Sequence, residues 1–415
     1  MAESGEFGAA SDVLVSQGRI AAIEPRLPVR PAVADIDLAG LWLMPGVVDT
    51  HLHAITHSFD ELEQLKTPYS YRIAETLAAL RVTLEAGVTL VRDAGGLDAG
   101  IRDAVAAGHS DGPQLQVSVV PLSPTGGHGD GFLPGIGLEH PTDAMVPAYL
   151  GRPLHVADGV DEVRRAVRAI LRSGADWIKI MATGGVMSAG AASSDVGPVQ
   201  SCDYTAAEIQ TAVEEANRRG KSVMVHALGG PAISMAVQAG ARSIEHGLWL
   251  TEADAALMAR NHTTLVPTVG IYAQLAALAA TSGNLPPAVA DRATAAGLVV
   301  GEAVQVARAA GVPIALGTDY AHRDQHGHNL SEITYLVKAG LTIAEALRSA
   351  TAVGADLCGL GGVTGRIRVG HRFDAIVLGV DPSDPDIFSR TESVTNVFAG
   401  GREVRRHPRW PGTPT

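Results

Sequence analysis

Eight short, nearly unbroken apolar runs recur along this chain, each with polar residues or glycine at or near its C-terminal end. They are LWLMPGVVDTHLH (41–53), TLVRDAGG (89–96), QLQVSVVPLS (114–123), WIKIMATGG (177–185), SVMVHALGG (222–230), RSIEHGLWL (242–250), TLVPTVGIY (264–272) and PIALGTDY (313–320). Runs rich in Val, Ile and Leu without alternation suit strands buried on both faces. Charged, periodic segments such as DEVRRAVRAILRSG and TAAEIQTAVEEANRRG lie between them and read as helices. Capping boxes open three such segments, at Thr205 with Glu208, Thr251 with Asp254 and Thr342 with Glu345. Gly174, Gly220 and Gly240 are stop signals. The alternation predicts an α/β fold, a (β/α)8 TIM barrel, with a doubly wound open sheet as the alternative. The barrel is preferred because it collects all the polar strand ends around one mouth, where active sites form.

The two ends of the chain read differently. Residues 12–46 and 367–405 form short alternating stretches with glycine turns, the pattern of β-hairpins. The expected organisation is a small β-sandwich from 1–46 plus 367–415, with a hydrolase barrel over 47–366 inserted between. The leading MAESGEFGAAS carries no strand signal, so this sandwich is expected to lack an edge strand. A hydrophobic fraction of 46% excludes disorder. Two cysteines, Cys202 and Cys358, exclude a disulfide scaffold and point to reduced thiols in a cytoplasmic setting. No signal peptide is visible, and no stretch is apolar enough to span a bilayer, so no membrane partner is expected. The net charge of −12 argues against nucleic acid. The expected partner is a small-molecule substrate, and assembly into a homo-oligomer is left open.

Five polar signals sit at the ends of the predicted strands. His51 and His53 flank Leu52, and period-two spacing places both imidazoles on one face. Desolvating both is costly unless they bind something, and a metal ion is the usual answer. Lys179 lies inside WIKIMATGG, where burial favours the neutral amine. A neutral lysine can take up carbon dioxide as a carbamate, a long-stemmed carboxylate able to bridge two metal ions; a lysine paired with an acid is the ordinary alternative. His226 and His246 end two consecutive runs, and Asp319 ends the last. An aspartate there can both ligate a metal and move a proton. The whole set in this order fits two divalent ions bridged by a carbamate and a hydroxide. Such a centre lowers the pKa of bound water from ~15.7 to roughly 7.

The segments MPGVVDTHLH, KIMATGG, VMVHA, IEHG and GTD resemble the amidohydrolase superfamily. VRDAGG, TGGHGD, PTVGIY and FDAIVLGVDP extend the likeness over nearly the whole chain. The nearest group is the prolidase-like metal-dependent carboxypeptidases and dipeptidases, relatives of imidazolonepropionase, which carry a carboxylated lysine. The resemblance implies His51, His53, Lys179, His226, His246 and Asp319 as ligands of two divalent metal ions, zinc being the expected metal. Lys179 becomes the bridging N6-carboxylysine and Asp319 the general acid and base. His128 then faces the substrate, and Tyr272, read as ending the seventh strand, holds the carbonyl oxygen.

The function implied is hydrolysis of a C–N amide bond in an Xaa-Pro-like dipeptide or an N-acyl amino acid. Hydroxide bridging the metals attacks the carbonyl and Asp319 shuttles the proton. The same scaffold serves aryl amides, carbamates, ureas, mycotoxin-like substrates and cyclic amides. Lys179 argues against the imidazolonepropionase type, which works with one metal and no bridging lysine. A metal-free binding or scaffold homologue is a different class, against which all six ligand positions speak; a metal-storage protein would lack the shuttle supplied by Asp319. The long segment 129–159, with Phe132, Leu133, Met145, Val146 and Tyr149, is the expected lid or apolar pocket wall. His322, His326 and His328 are expected to face solvent, and His57 to sit in a helix or loop.

Overall fold

The apolar runs in the middle of the chain fold as parallel strands joined by helices. The computed structural model describes residues 1–28, 35–58, 61–130, 147, 149–187, 202–281 and 285–404. The chain opens with the hairpin β1 (Asp12–Ser16) and β2 (Arg19–Glu24), then β3 (Trp42–Pro45) and β4 (Val47–Leu52). Helices α1 (Glu61–Lys66) and α2 (Tyr69–Glu85) lead to β5 (Val88–Asp93), and α3 (Ala99–Ala106) to β6 (Gln114–Val117) and β7 (Pro121–Leu122). Strands and helices then alternate: α4 (Gly159–Arg172), β8 (Trp177–Met181), α5 (Ala206–Asn217), β9 (Ser222–Ala227), α6 (Pro231–Ala239), β10 (Ser243–His246), α7 (Glu252–Arg260) and β11 (Thr264–Val266). Helices α8 (Val269–Thr281), α9 (Pro287–Ala309), α10 (Ser331–Lys338), α11 (Ile343–Arg348) and α12 (Gly354–Leu357) precede the closing strands β12 (Ala375–Leu378), β13 (Val394–Ala399) and β14 (Arg402–Glu403).

Two parallel sheets result, β4-β5-β6 and β11-β10-β9-β8-β7. The third apolar run is broken into β6 and β7 by Val119, whose φ of 67° is left-handed. The eighth run, 313–320, forms no extended ladder. It makes single parallel bridges, Ile314 to Leu265 of β11 and Tyr320 to Leu52 of β4. Backbone bonds accompany them: Thr50 donates to Leu316, and Thr318 and Asp319 both donate to His51. The strand ladder is therefore not an unbroken ring. The seventh run also departs from expectation. It leaves the strand after Val266, because Pro267 has no N–H to donate and Thr268 turns left-handed at φ 49°. Tyr272 consequently stands in the first turn of α8 rather than at a strand end.

The first run divides at Gly46. Its first half, β3, joins the antiparallel sheet β14-β13-β12-β3, and its second half, β4, joins the parallel one. A Cβ at position 46 would lie 2.3 Å from the Thr89 hydroxyl, so only glycine lets the chain pass β5 there. The hairpin turn at Gln17 and Gly18 has both φ values positive (50° and 74°), matching the twist of the flanking strands. Ile20 of this hairpin packs with Phe373, Ala375, Val377 and Phe398 near the antiparallel sheet. All three capping boxes form, and Gly174, Gly220 and Gly240 all adopt positive φ. Cys202 and Cys358 are free thiols.

Ile20→Ala should lower stability by about 2–4 kcal/mol, because the side chain is 1% exposed and leaves a cavity. Leu298→Ala, at a site 78% exposed, should change it by less than about 0.5 kcal/mol. Denaturant midpoints read both; equal shifts would deny that the cluster around Ile20 is a true core.

Candidate active site

Parallel strands point their C-terminal ends to one side, and the titratable residues gather there. His51 near the end of β4 and His53 just beyond it present rings whose centroids are 5.4 Å apart. The Nδ1 of each is already engaged. His51 Nδ1 lies 2.6 Å from Glu245 Oε2, and His53 Nδ1 lies 3.0 Å from the Gly95 carbonyl. Donation from Nδ1 leaves the Nε2 lone pair of each ring free to bind a metal. Both Nε2 atoms face Asp319 Oδ1, at 3.4 Å from His51 and 3.2 Å from His53. One ligand atom from each of His51, His53 and Asp319 lies within 4.8 Å of the others, a donor set of two buried imidazoles and a partly open carboxylate suited to a divalent cation.

The remaining predicted residues surround this trio. Lys179 Nζ stands 3.4 Å from His51 Nε2. The His246 ring lies 5.0 Å from that of His51 and 4.7 Å from that of His226. His246 Nδ1 is 2.8 Å from Thr268 Oγ1, leaving Nε2 unengaged by that bond. His226 is turned the other way, with Nε2 3.2 Å from the Gly184 carbonyl and Nδ1 left over. The His128 ring lies 4.7 Å from His226, and Tyr272 meets His246 edge-on at 5.7 Å. The fold therefore brings all eight predicted residues into one neighbourhood.

Burial and charge set their protonation. Burial pulls the Lys179 amine down to about 8, against the pull of Glu245 and Asp319. Burial also holds His226 and His246 well below the usual imidazole range, in the neutral form a metal needs. Burial would raise the Asp319 carboxyl, but His51, His53 and His246 outweigh it and hold it well below the ordinary value. His53 is raised: Asp319 overcomes the effect of its burial.

Several functional neighbours escaped the sequence reading. Arg92 and Glu245 are fully buried and paired at 3.0 Å. Arg92 also donates to the Thr50 carbonyl at 2.6 Å and lies 4.7 Å over the Trp177 ring. Ser243 donates its hydroxyl to Glu245. Burial would raise Glu245, but Arg92 and His51 pull it far down, so it meets His51 as a carboxylate. Asp49 anchors the other side: it accepts from the Thr318 hydroxyl at 2.7 Å and from Asn329 at 2.9 Å, next to Asp319. The signal for Arg92 and Glu245 was available, since each is a charge inside an apolar run.

The loop histidines do not all face solvent. His328 is exposed and His322 partly so, but His326 is 4% exposed, folded against Ala54, His57 and Glu75. His57 is a buried loop residue. Of the expected lid, Phe132, Leu133, Met145 and Val146 lie outside the described residues, and Tyr149 stacks on Tyr69 at 5.9 Å. Among the described residues, no helix is long and apolar enough to cross a membrane.

The amidohydrolase family model matches residues 42–404, and the chain belongs to the amidohydrolase family. It is a hydrolytic enzyme acting on amide bonds. Ochratoxinase of Aspergillus niger is 34% identical over 379 residues, covering 87% of this chain and 75% of that protein. A prolidase solved with N-methylphosphonate-L-proline superposes with a TM-score of 0.86 at 33% identity, covering 96% of this chain and 95% of that one. An Xaa-Pro dipeptidase solved with methionine in its active site gives a TM-score of 0.82 at 29% identity, covering 94% of each chain.

Glu245→Gln should weaken retention of a divalent ion at His51, His53 and Asp319 about 10–100-fold by loosening the His51 ring. It should also destabilise the fold by about 3–5 kcal/mol through the unpaired Arg92 charge. Competition with a chromogenic chelator measures the first; unchanged divalent-ion affinity would show that Glu245 does not orient His51.

Proposed function

We propose that this enzyme hydrolyses the C–N bond of a dipeptide of Xaa-Pro type or of an N-acyl amino acid, using two divalent metal ions. The observation that carries this reading is the convergence of His51 Nε2, His53 Nε2 and Asp319 Oδ1, with both imidazole Nδ1 atoms tied back into the protein. In this reading His51, His53, Lys179, His226, His246 and Asp319 hold the metals, with zinc the expected ion. When bound, the ions supply an acidified water at neutral pH and polarise the scissile carbonyl.

The chain's own residues do the rest. Asp319 accepts a proton from the attacking water and delivers it to the leaving nitrogen. Its side chain keeps 23% of its surface open, so it can reach both. Tyr272 donates its phenol proton to the carbonyl oxygen; burial raises its pKa well above the ordinary value, which keeps that proton in place. His128 faces the substrate from the loop after β7. Lys179, with its amine pulled down to about 8, adds carbon dioxide to become N6-carboxylysine and releases one proton. The N-acyl amino acid and the Xaa-Pro dipeptide both present an amide next to a carboxylate-bearing residue. The ochratoxinase, prolidase and dipeptidase relatives support that choice. The proposal includes a (β/α)8 barrel architecture over 47–366, supported by the backbone bonds of 313–320 to β4 and β11. It also includes a β-sandwich from 1–46 plus 367–415, supported by the shared cluster around Ile20.

The test is mass-spectrometric screening of the zinc-loaded protein, with bicarbonate, against dipeptides, N-acyl amino acids, aryl carbamates, ureas and cyclic imides. Release of a C-terminal amino acid is expected; turnover confined to carbamates, ureas or ring amides would overturn the substrate class. Lys179→Ala should lose one or both metals, with partial rescue by short carboxylates, as metal analysis would show. A fully metallated, fully active Lys179→Ala protein would refute the carbamate. Asp319→Asn should keep much of its metal and lose turnover by a factor of about 10²–10⁴; parental rates would place the shuttle elsewhere.

A further inference from the structure

The motif PTVGIY contains more than Tyr272. It carries Gly270, and its helix α8 begins against a carboxylate from a different part of the chain. Glu332, in the first turn of α10, is fully buried, and it has no ion-pair partner among the described residues. Its two oxygens accept from two successive backbone N–H groups: Oε1 from Val269 at 2.7 Å and Oε2 from Gly270 at 2.8 Å. These are among the donors that a helix start leaves unsatisfied. Burial pushes the Glu332 carboxyl well above the ordinary carboxylate range, and the two helix N–H donors pull it back. The fit is close. A Cβ at position 270 would lie 2.5 Å from Glu332 Oε2, so glycine is what admits the carboxylate.

We infer that Glu332 is a positioning residue for catalysis, acting as a remote cap that fixes the first turn of α8 and with it the Tyr272 phenol. Tyr272 lies two residues past Gly270, so its Cα is set by the turn that Glu332 holds. The approach to that turn passes through Thr268, whose left-handed backbone is strained. Helix α8 has no side-chain cap of its own at Thr268, because the Thr268 hydroxyl is turned to His246. Glu332 takes the place such a cap would fill. Thr268 precedes the helix, and its side chain meets both His246 and the Tyr272 phenol, whereas Glu332 holds the backbone of the turn that bears Tyr272.

The catalytic part of this inference rests on the reading that Tyr272 binds the carbonyl oxygen. The zinc-loaded full chain is compared with Glu332→Gln, which keeps the shape but sets an amide N–H₂ against one helix N–H. Expected are unchanged zinc content, KM within about threefold, and kcat reduced about 10–100-fold, a part of the roughly 10²–10³ that losing an oxyanion donor outright costs. In a Tyr272→Phe background the same change should cost less than about threefold, since the two act as one unit. Gly270→Ala, which crowds the carboxylate, should reproduce the effect if Glu332→Gln folds poorly. Equal losses in both backgrounds, or loss of zinc, would overturn the inference. A readout without turnover separates it from the substrate reading: nitration by tetranitromethane, mapped by peptide mass spectrometry. Tyr272 should nitrate several-fold faster in Glu332→Gln, while exposed Tyr71 should not change. If no substrate is cleaved by the parent but Tyr272 nitration rises, the amide reading fails and the positioning stands. Unchanged nitration of Tyr272 would refute the positioning itself.

Discussion

The Arg92–Glu245 pair is the interaction around which the site is built. Two opposite charges sit fully buried, at a desolvation cost recovered only because nearly every polar atom finds a partner. Arg92 from β5 reaches the Thr50 carbonyl, the Ser243 hydroxyl and Glu245; Glu245 from β10 reaches His51 on β4. Three strands are thereby tied by side chains across the interior as well as by their ladders. The last member of the chain is an imidazole whose free nitrogen faces Asp319. Its orientation is inherited from a charge pair that never meets solvent.

A second constraint lies in the backbone. His246, Thr268 and Asp319 all have positive φ, at 73°, 49° and 55°. Non-glycine residues pay about 1–3 kcal/mol each for such conformations, and they persist where the surroundings over-determine them. Here the surroundings are identifiable: β10 pairs on both sides, Glu332 grips the turn after Thr268, and Asp49 with Asn329 grips Thr318 before Asp319. Left-handed turns at the strand ends redirect the chain just where side chains must converge.

Much of this was legible in the sequence. The capping boxes at Thr205, Thr251 and Thr342 are local chemistry and appear as read. The polar residues at the ends of apolar runs converge because parallel strands share a direction. Tyr272 was misplaced because TLVPTVGIY is β-branched-rich and uncharged to its end, and only Pro267 marks where extension stops. His326 was misread because its burial depends on α2, far away in sequence. Arg92 and Glu245 were open to the reasoning that singled out Lys179, a charge stranded in an apolar strand, but their partners lie 153 residues apart. Glu332 carries no local mark at all: in the sequence it is one more acid on a helix, and its role exists only once α10 meets the start of α8.

Gly46 joins two bodies of structure by a single residue. On one side is β3, paired with β12 at the edge of the antiparallel sheet; on the other is β4, which leads into the histidine pair. Only five peptide units separate Gly46 from His51. A shear of the antiparallel sheet against the parallel one is thus transmitted to the imidazoles that face Asp319 with almost no slack to absorb it. The peripheral sheet, which carries none of the chemistry, behaves as the bench to which the instrument is bolted.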